Sequence, residues 1–119
     1  MILQVQGRAL AEPFPFGTEL ILDAQQMRGS KKVPSIDINH DGTADIDLWC
    51  NKVKARFVIA ANTVTIITGE MSPRQCPPER ARADDELMAA LNAVTSWRMD
   101  GEALVLTGGR TLRFLAPTN

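Results

Sequence analysis

The sequence predicts an α+β fold, mostly antiparallel sheet with one helix inserted late. Two observations predict it. Short runs with apolar residues at every second position recur from Glu19 to Leu115, separated by turn dipeptides such as Asp41-Gly42 and Gly108-Gly109. One segment alone, opened by Pro77-Pro78, sets its apolar residues at helical spacing. With 119 residues and 45% hydrophobic composition, the chain is expected to form one domain with a single core.

Each element follows from its residues. Leu3, Gln4, Val5 and Gln6 alternate, so residues 2–6 are expected to form a strand, turned at Gly7 and Arg8. Ala11 to Gly17 holds two prolines and a glycine, which exclude it from a central strand. Glu19–Ala24 is the next strand, with Leu20 and Leu22 on one face, and Gln25–Lys32 is an exposed connection. Ser35–Asn39 places Ile36 and Ile38 inward. His40-Asp41-Gly42-Thr43 is a tight turn because Asp-Gly accepts positive φ. Ala44–Trp49 continues the alternation, with Ile46 and Leu48 in and Asp45 and Asp47 out. Lys54–Ala60 and Val64–Thr68 are strands joined at Ala61-Asn62. Together these four form an antiparallel meander whose faces differ in polarity. A helix is expected over Glu79–Val94, with Leu87, Leu91 and Val94 on its apolar face beside Ala83 and Ala90. Strands Thr95–Met99, Ala103–Thr107 and Thr111–Leu115 close the chain, linked at Asp100-Gly101 and Gly108-Gly109.

Composition excludes several function classes. A formal net charge of −1 offers no electrostatic reason to bind nucleic acid or anionic membrane. Four Phe, two Trp and no Tyr make a base-stacking platform an unsuitable reading. No apolar run approaches the roughly 18 residues that span a bilayer, so no transmembrane segment is expected. The opening Met-Ile-Leu-Gln-Val-Gln lacks a signal peptide's basic start and cleavage site, so either the protein is cytosolic or a targeting segment was removed and replaced by Met1. The sequence contains no Ser-His-Asp set, phosphate-cradling glycine loop or dinucleotide fingerprint, and no enzyme activity or cofactor is expected.

The stretch from Leu48 to Cys76 contains both cysteines and the most strand-like sequence of the chain. Several of its features recur in order: the Asp41-Gly42 turn, Cys50-Asn51, the segment Ser72 to Cys76, Glu86 to Leu91, and Leu104-Val105-Leu106. With the opening Leu3 to Leu10, this order resembles the META domain family, which includes the HslJ heat-shock proteins of bacteria. The resemblance covers nearly the whole chain, with an insertion around residues 11–30. Two positions depart from the family pattern: Trp49 stands where a small residue precedes Cys-Asn, and Pro73-Arg74 replaces Arg-Met. The resemblance implies a small barrel-like sheet of about seven or eight strands with the helix packed across it. It also implies a periplasmic or outer-membrane-associated setting, with the targeting segment absent from this chain, and no known enzyme activity. The implied role is partner binding, through an envelope protein or component still to be identified, or stress protection. The alternative is a small-molecule or calcium binder.

Four sets of residues are candidates for chemistry. Cys50 and Cys76 cannot form a structural zinc site with His40 alone, since one more ligand would be missing. A Cys–His nucleophile pair would need His40 beside a thiol, yet His40 sits in a turn at the far end of a strand from Cys50. The export implied by the resemblance favours a Cys50–Cys76 disulfide, and two buried thiols are the alternative. Asp37, Asn39, Asp41, Thr43 and Asp45 copy the start of a calcium loop, but Leu48 occupies the position where an EF-hand needs Glu. The simpler reading is an Asp-Gly hairpin with outward polar side chains and no metal. Asp84, Asp85 and Glu86, with Arg80 and Arg82, are expected to be a solvated helix face where negative charge suits the dipole. Trp49 and Trp97 are either core residues or, with Arg74, a ligand or partner surface.

Overall fold

The computed structural model describes residues 13–30, 32–72 and 75–116. The strand expected over residues 2–6, the turn at Gly7 and Arg8, and Pro73 and Arg74 lie outside them. Eight strands form among the described residues: β1 (Thr18–Leu22), β2 (Ser35–Ile38), β3 (Thr43–Asp47), β4 (Lys52–Ala60), β5 (Thr63–Thr68), β6 (Ser96–Asp100), β7 (Ala103–Thr107) and β8 (Leu112–Leu115). The helix α1 (Pro78–Asn92) stands between β5 and β6. Each strand pairs antiparallel with its neighbour in sequence, and β8 returns to β1 through Ile21↔Leu115 and Leu22↔Phe114, closing a barrel. The expected α+β barrel-like sheet with one helix is the fold observed. Closure also removes the exposed sheet edges that would recruit other strands.

Period-2 alternation decides what lies inside. Ile36 and Ile38, Ala44 and Ile46, Val53 and Phe57, Val64 and Ile66, Leu104 and Leu106, and Leu112 and Phe114 are all buried. Each large side chain so buried contributes about 1.5–3 kcal/mol relative to exposure. On β7 the outward residues Ala103 and Val105 are buried as well. The register sets Val105 between Arg98 and Arg113 on the neighbouring strands. Arg113 is in turn held by Asp100 at 2.9 Å and Asp23 at 3.5 Å.

The two ends of the barrel are closed differently. At one end lie the β3–β4 and β7–β8 turns and the start of α1. The helix crosses this end and buries Leu87, Ala90 and Leu91 over the core, with Val94 just beyond its last turn. The β7–β8 turn approaches so closely that a Cβ at Gly108 would collide with the Ala93 carbonyl, which is why a side chain is excluded there. At the other end Phe14 is buried against Phe57 (ring centroids 6.0 Å) and edge-on to Trp97 (5.1 Å, 89°). Strands β5 and β6 share the single pair Thr63↔Ser96, extended by Val64 N–H to Thr95 O (3.0 Å) and Trp97 N–H to Asn62 O (3.0 Å). Beyond that seam the Thr68 hydroxyl donates to Asn92 Oδ1 of α1 at 3.1 Å.

Several boundaries differ from expectation for physical reasons. The third strand was expected to reach Trp49 but ends at Asp47, because the N–H groups of Trp49, Cys50 and Asn51 point to α1 and not to a neighbouring strand. The helix begins at Pro78, whose missing N–H costs nothing in the first turn, and ends at Asn92.

Candidate functional site at the helix–turn junction

The expectation of a solvated Asp84-Asp85-Glu86 face is corrected at Asp84. Asp85 and Glu86 are exposed, but Asp84 has no exposed surface. Positions 84, 87, 91 and 94 share one stripe of a helix, so Asp84 extends the buried row of Leu87 and Leu91. That spacing was the available signal. Reading the residue type in place of its position missed it.

The Asp84 carboxylate faces the β3–β4 turn. Oδ1 accepts the Trp49 N–H at 2.7 Å and the Cys50 N–H at 3.2 Å. Oδ2 accepts the Asn51 N–H at 2.8 Å and Asn51 Nδ2 at 3.1 Å, and the Cys50 N–H also lies 3.3 Å from it. Three consecutive backbone donors and a side-chain amide thus surround one buried carboxylate, as an anion is held in a backbone nest. The Leu48 N–H donates to Asn51 O at 2.8 Å and closes the turn. Beside it Cys50 and Cys76 form a disulfide, with Cα atoms 6.0 Å apart. The α1 N-terminus is therefore attached to the turn twice, covalently and through Asp84.

Trp49 and Trp97 are not brought together. Trp97 stands at the opposite end of the barrel, its indole N–H donating to Ala61 O at 2.8 Å. It packs on the core, and Trp49 likewise lies partly buried against it. A cleft of about 350 Å³ opens outside the barrel at the Asp84 junction, lined by Trp49, Cys50, Lys32, Lys52 and Arg80 among others. Lys32 and Lys52 both approach Asp47, at 3.3 and 3.8 Å. Arg80 is half-buried and forms no ion pair among the described residues.

The Asp37–Asp45 segment is the β2–β3 hairpin, in register at Ile38↔Ala44 and Asp37↔Asp45. Asp41 Oδ1 accepts from the Thr43 N–H at 3.0 Å and from the Thr43 hydroxyl at 2.6 Å. These bonds hold the Asp41 carboxyl below the usual carboxylate range. Asn39 Nδ2 donates to the Thr43 hydroxyl at 2.9 Å, and Asp45 pairs with Lys54 at 2.7 Å. Gly42 takes φ +91°, and a Cβ there would stand 2.9 Å from the Phe57 carbonyl. Among the described residues, no group of three or more His, Cys, Asp or Glu is placed to hold a metal ion. A larger groove, about 680 Å³, runs along the outer face of β1–β4, where Glu19, Asp37 and Asp45 stand in one cross-strand row. His40 stands in the β2–β3 turn, at the other end of the barrel from Cys50.

Known proteins share this architecture. A DUF4847 family protein from Bacteroides vulgatus superposes with a TM-score of 0.59 at 19% identity, over 72% of this chain and 60% of that one. This chain thus spans about 60% of the Bacteroides protein's length. A protein from Burkholderia xenovorans, solved by NMR, gives a TM-score of 0.63 at 16% identity, over 92% and 94% of the two chains. A further NMR structure gives 0.67 at 15% identity, over 98% and 96%. At these identities the likeness is one of fold. No curated protein matches the sequence. The META domain profile matches residues 17–119, which takes in the Asp-Gly hairpin, Cys50-Asn51, the Asp84 junction and the closing strands, and the chain belongs to the META domain family.

Proposed function

We propose that this chain is a non-enzymatic module of the bacterial envelope, working outside the cytoplasm by binding a partner protein or envelope component. The filled barrel carries this reading. Among the described residues, the inward side chains Ile38, Leu104 and Leu106 have no exposed surface and fill the barrel, which favours recognition on the outside. There Val58 and Ile67, on the outer faces of adjacent β4 and β5, are 47% and 55% exposed. The disulfide suits an oxidising compartment. The separation of His40 from Cys50 supports a role without nucleophilic catalysis. A stress-protective role would be a property of the same binding.

The test combines fractionation of the source cells with site-directed photo-crosslinking from Ile67 and, as control, from exposed Thr111. The expected result is an extracytoplasmic protein with no alkylatable thiols before reduction, and a discrete adduct from Ile67 alone. A cytoplasmic protein with two free thiols would overturn the compartment. Equal labelling from both positions would overturn the binding surface.

A further inference from the structure

We propose that the cleft beside the Asp84 junction binds a phosphate group carried on a small organic body. The inference goes beyond the envelope reading and does not depend on it, since the chemistry of the cleft is the same in any compartment.

Three cations from three separate places in the chain meet at this cleft: Lys32 before β2, Lys52 at the start of β4, and Arg80 in the first turns of α1. Among the described residues, only Asp47 opposes them in the cleft lining, and its pairs with Lys32 and Lys52 are long and solvated, with the lysine side chains 63% and 62% exposed. Such pairs are worth little and exchange readily for a better anion. The other nearby carboxylate, Asp84, is taken up by the N–H groups of residues 49–51 and does not face the cleft cations as a free charge.

Arg80 is the decisive residue. It is half-buried, yet no carboxylate among the described residues pairs with it. Its guanidinium lies over Gly29, where even an added Cβ would come only to 3.5 Å of Nη2, so the loop makes room for it without neutralising it. A partly desolvated guanidinium that no described carboxylate pairs with can offer its whole fork of donors to a ligand. One carboxylate would satisfy Arg80 alone. A group with three or more oxygens and more than one negative charge can engage Arg80, Lys32 and Lys52 together, which favours phosphate. Trp49 supplies an apolar, aromatic wall for the organic part of the ligand. The volume, about 350 Å³, matches a phosphorylated polyol or a lipid headgroup.

The experiment follows the Trp49 indole and Arg80 Nε–H resonances of the whole protein during titration with sn-glycerol 3-phosphate. Co-sedimentation with vesicles of phosphatidylglycerol in phosphatidylcholine, against phosphatidylcholine alone, is run in parallel. Both resonances are expected to shift with a common saturation curve. Arg80→Gln and, separately, Lys52→Gln should weaken binding about tenfold or more. Asp47→Asn should tighten it, because the competing carboxylate is gone. A merely structural role for these residues would not produce opposite signs. Binding of the soluble ester alone identifies a free phosphate ester as the ligand. Additional retention on anionic vesicles, lost in Arg80→Gln, identifies a lipid headgroup. Absence of any shift and of vesicle binding would overturn the proposal, and so would binding left unchanged in both Arg80→Gln and Lys52→Gln.

Discussion

A single carboxylate on α1 answers three consecutive backbone N–H groups of the β3–β4 turn. Removing it would leave those donors without partners where water reaches them poorly. Asp84→Ala is therefore expected to cost about 1–3 kcal/mol, the range for leaving buried donors unsatisfied. Asp85→Ala, one residue on and exposed, should stay within about 0.5 kcal/mol. Urea unfolding of the two variants checks the contrast, and similar small losses would mean that the nest is not closed in solution. Asp41 shows a milder version of the same chemistry at the surface. The Thr43 hydroxyl and N–H hold its carboxyl below the usual range, so the folded value lies under the unfolded one. The stabilisation is present above the unfolded value and disappears as pH falls through the folded value. An NMR titration should place the Asp41 midpoint below that of a free aspartate, and Thr43→Val should move it upward. An unchanged midpoint in Thr43→Val would remove the hydroxyl as the cause.

At the scale of elements, α1 closes one end of the barrel, and its attachment is both apolar and specific. Leu91 has no exposed surface, so Leu91→Ala should cost about 2–5 kcal/mol through lost burial and a cavity. The Cys50–Cys76 bridge, at a sequence separation of 26, acts on the unfolded chain by closing a loop. Replacing both cysteines by serine should cost about 3 kcal/mol by that argument. Because the bridge and Asp84 hold the same turn, their losses should not add. A double-mutant cycle by chemical denaturation should give a coupling outside about 0.5 kcal/mol of zero, and strict additivity would show that the two attachments are independent.

At the scale of the molecule, the closed sheet with a filled interior places recognition on the outer surface and in the loops at its ends. The β2–β3 hairpin has the donor spacing of a calcium loop, but its side chains already satisfy one another: Asp41 with Thr43, Asn39 with Thr43, Asp45 with Lys54. A bound cation would raise stability by mass action, about 2.7 kcal/mol at a hundredfold excess over its dissociation constant. Melting midpoints in millimolar calcium and in chelator are expected to agree within error. A rise with calcium that Asp41→Ala abolishes would restore the ion-binding reading.

Local patterning was enough for the meander from β2 to β5, its inward apolar residues and the Asp-Gly hairpin, because a period of two and a turn dipeptide act over neighbouring residues. Ile36, Ile38, Ile46 and Leu48 were legible for that reason. Closure through Leu22↔Phe114 depends on twist and stagger accumulated around the whole sheet, which no local window contains. Asp84 was misjudged on the same ground. Its partners lie 33 to 35 residues earlier in the chain, and a carboxylate beside Asp85 and Glu86 looks solvated until a turn with three free N–H groups is packed against it. Arg80 and Trp49 are likewise ordinary residues in sequence. Packing of α1 across the end of the barrel decides that they border one cleft, because only there does the surface of the helix meet the turn that Asp84 holds.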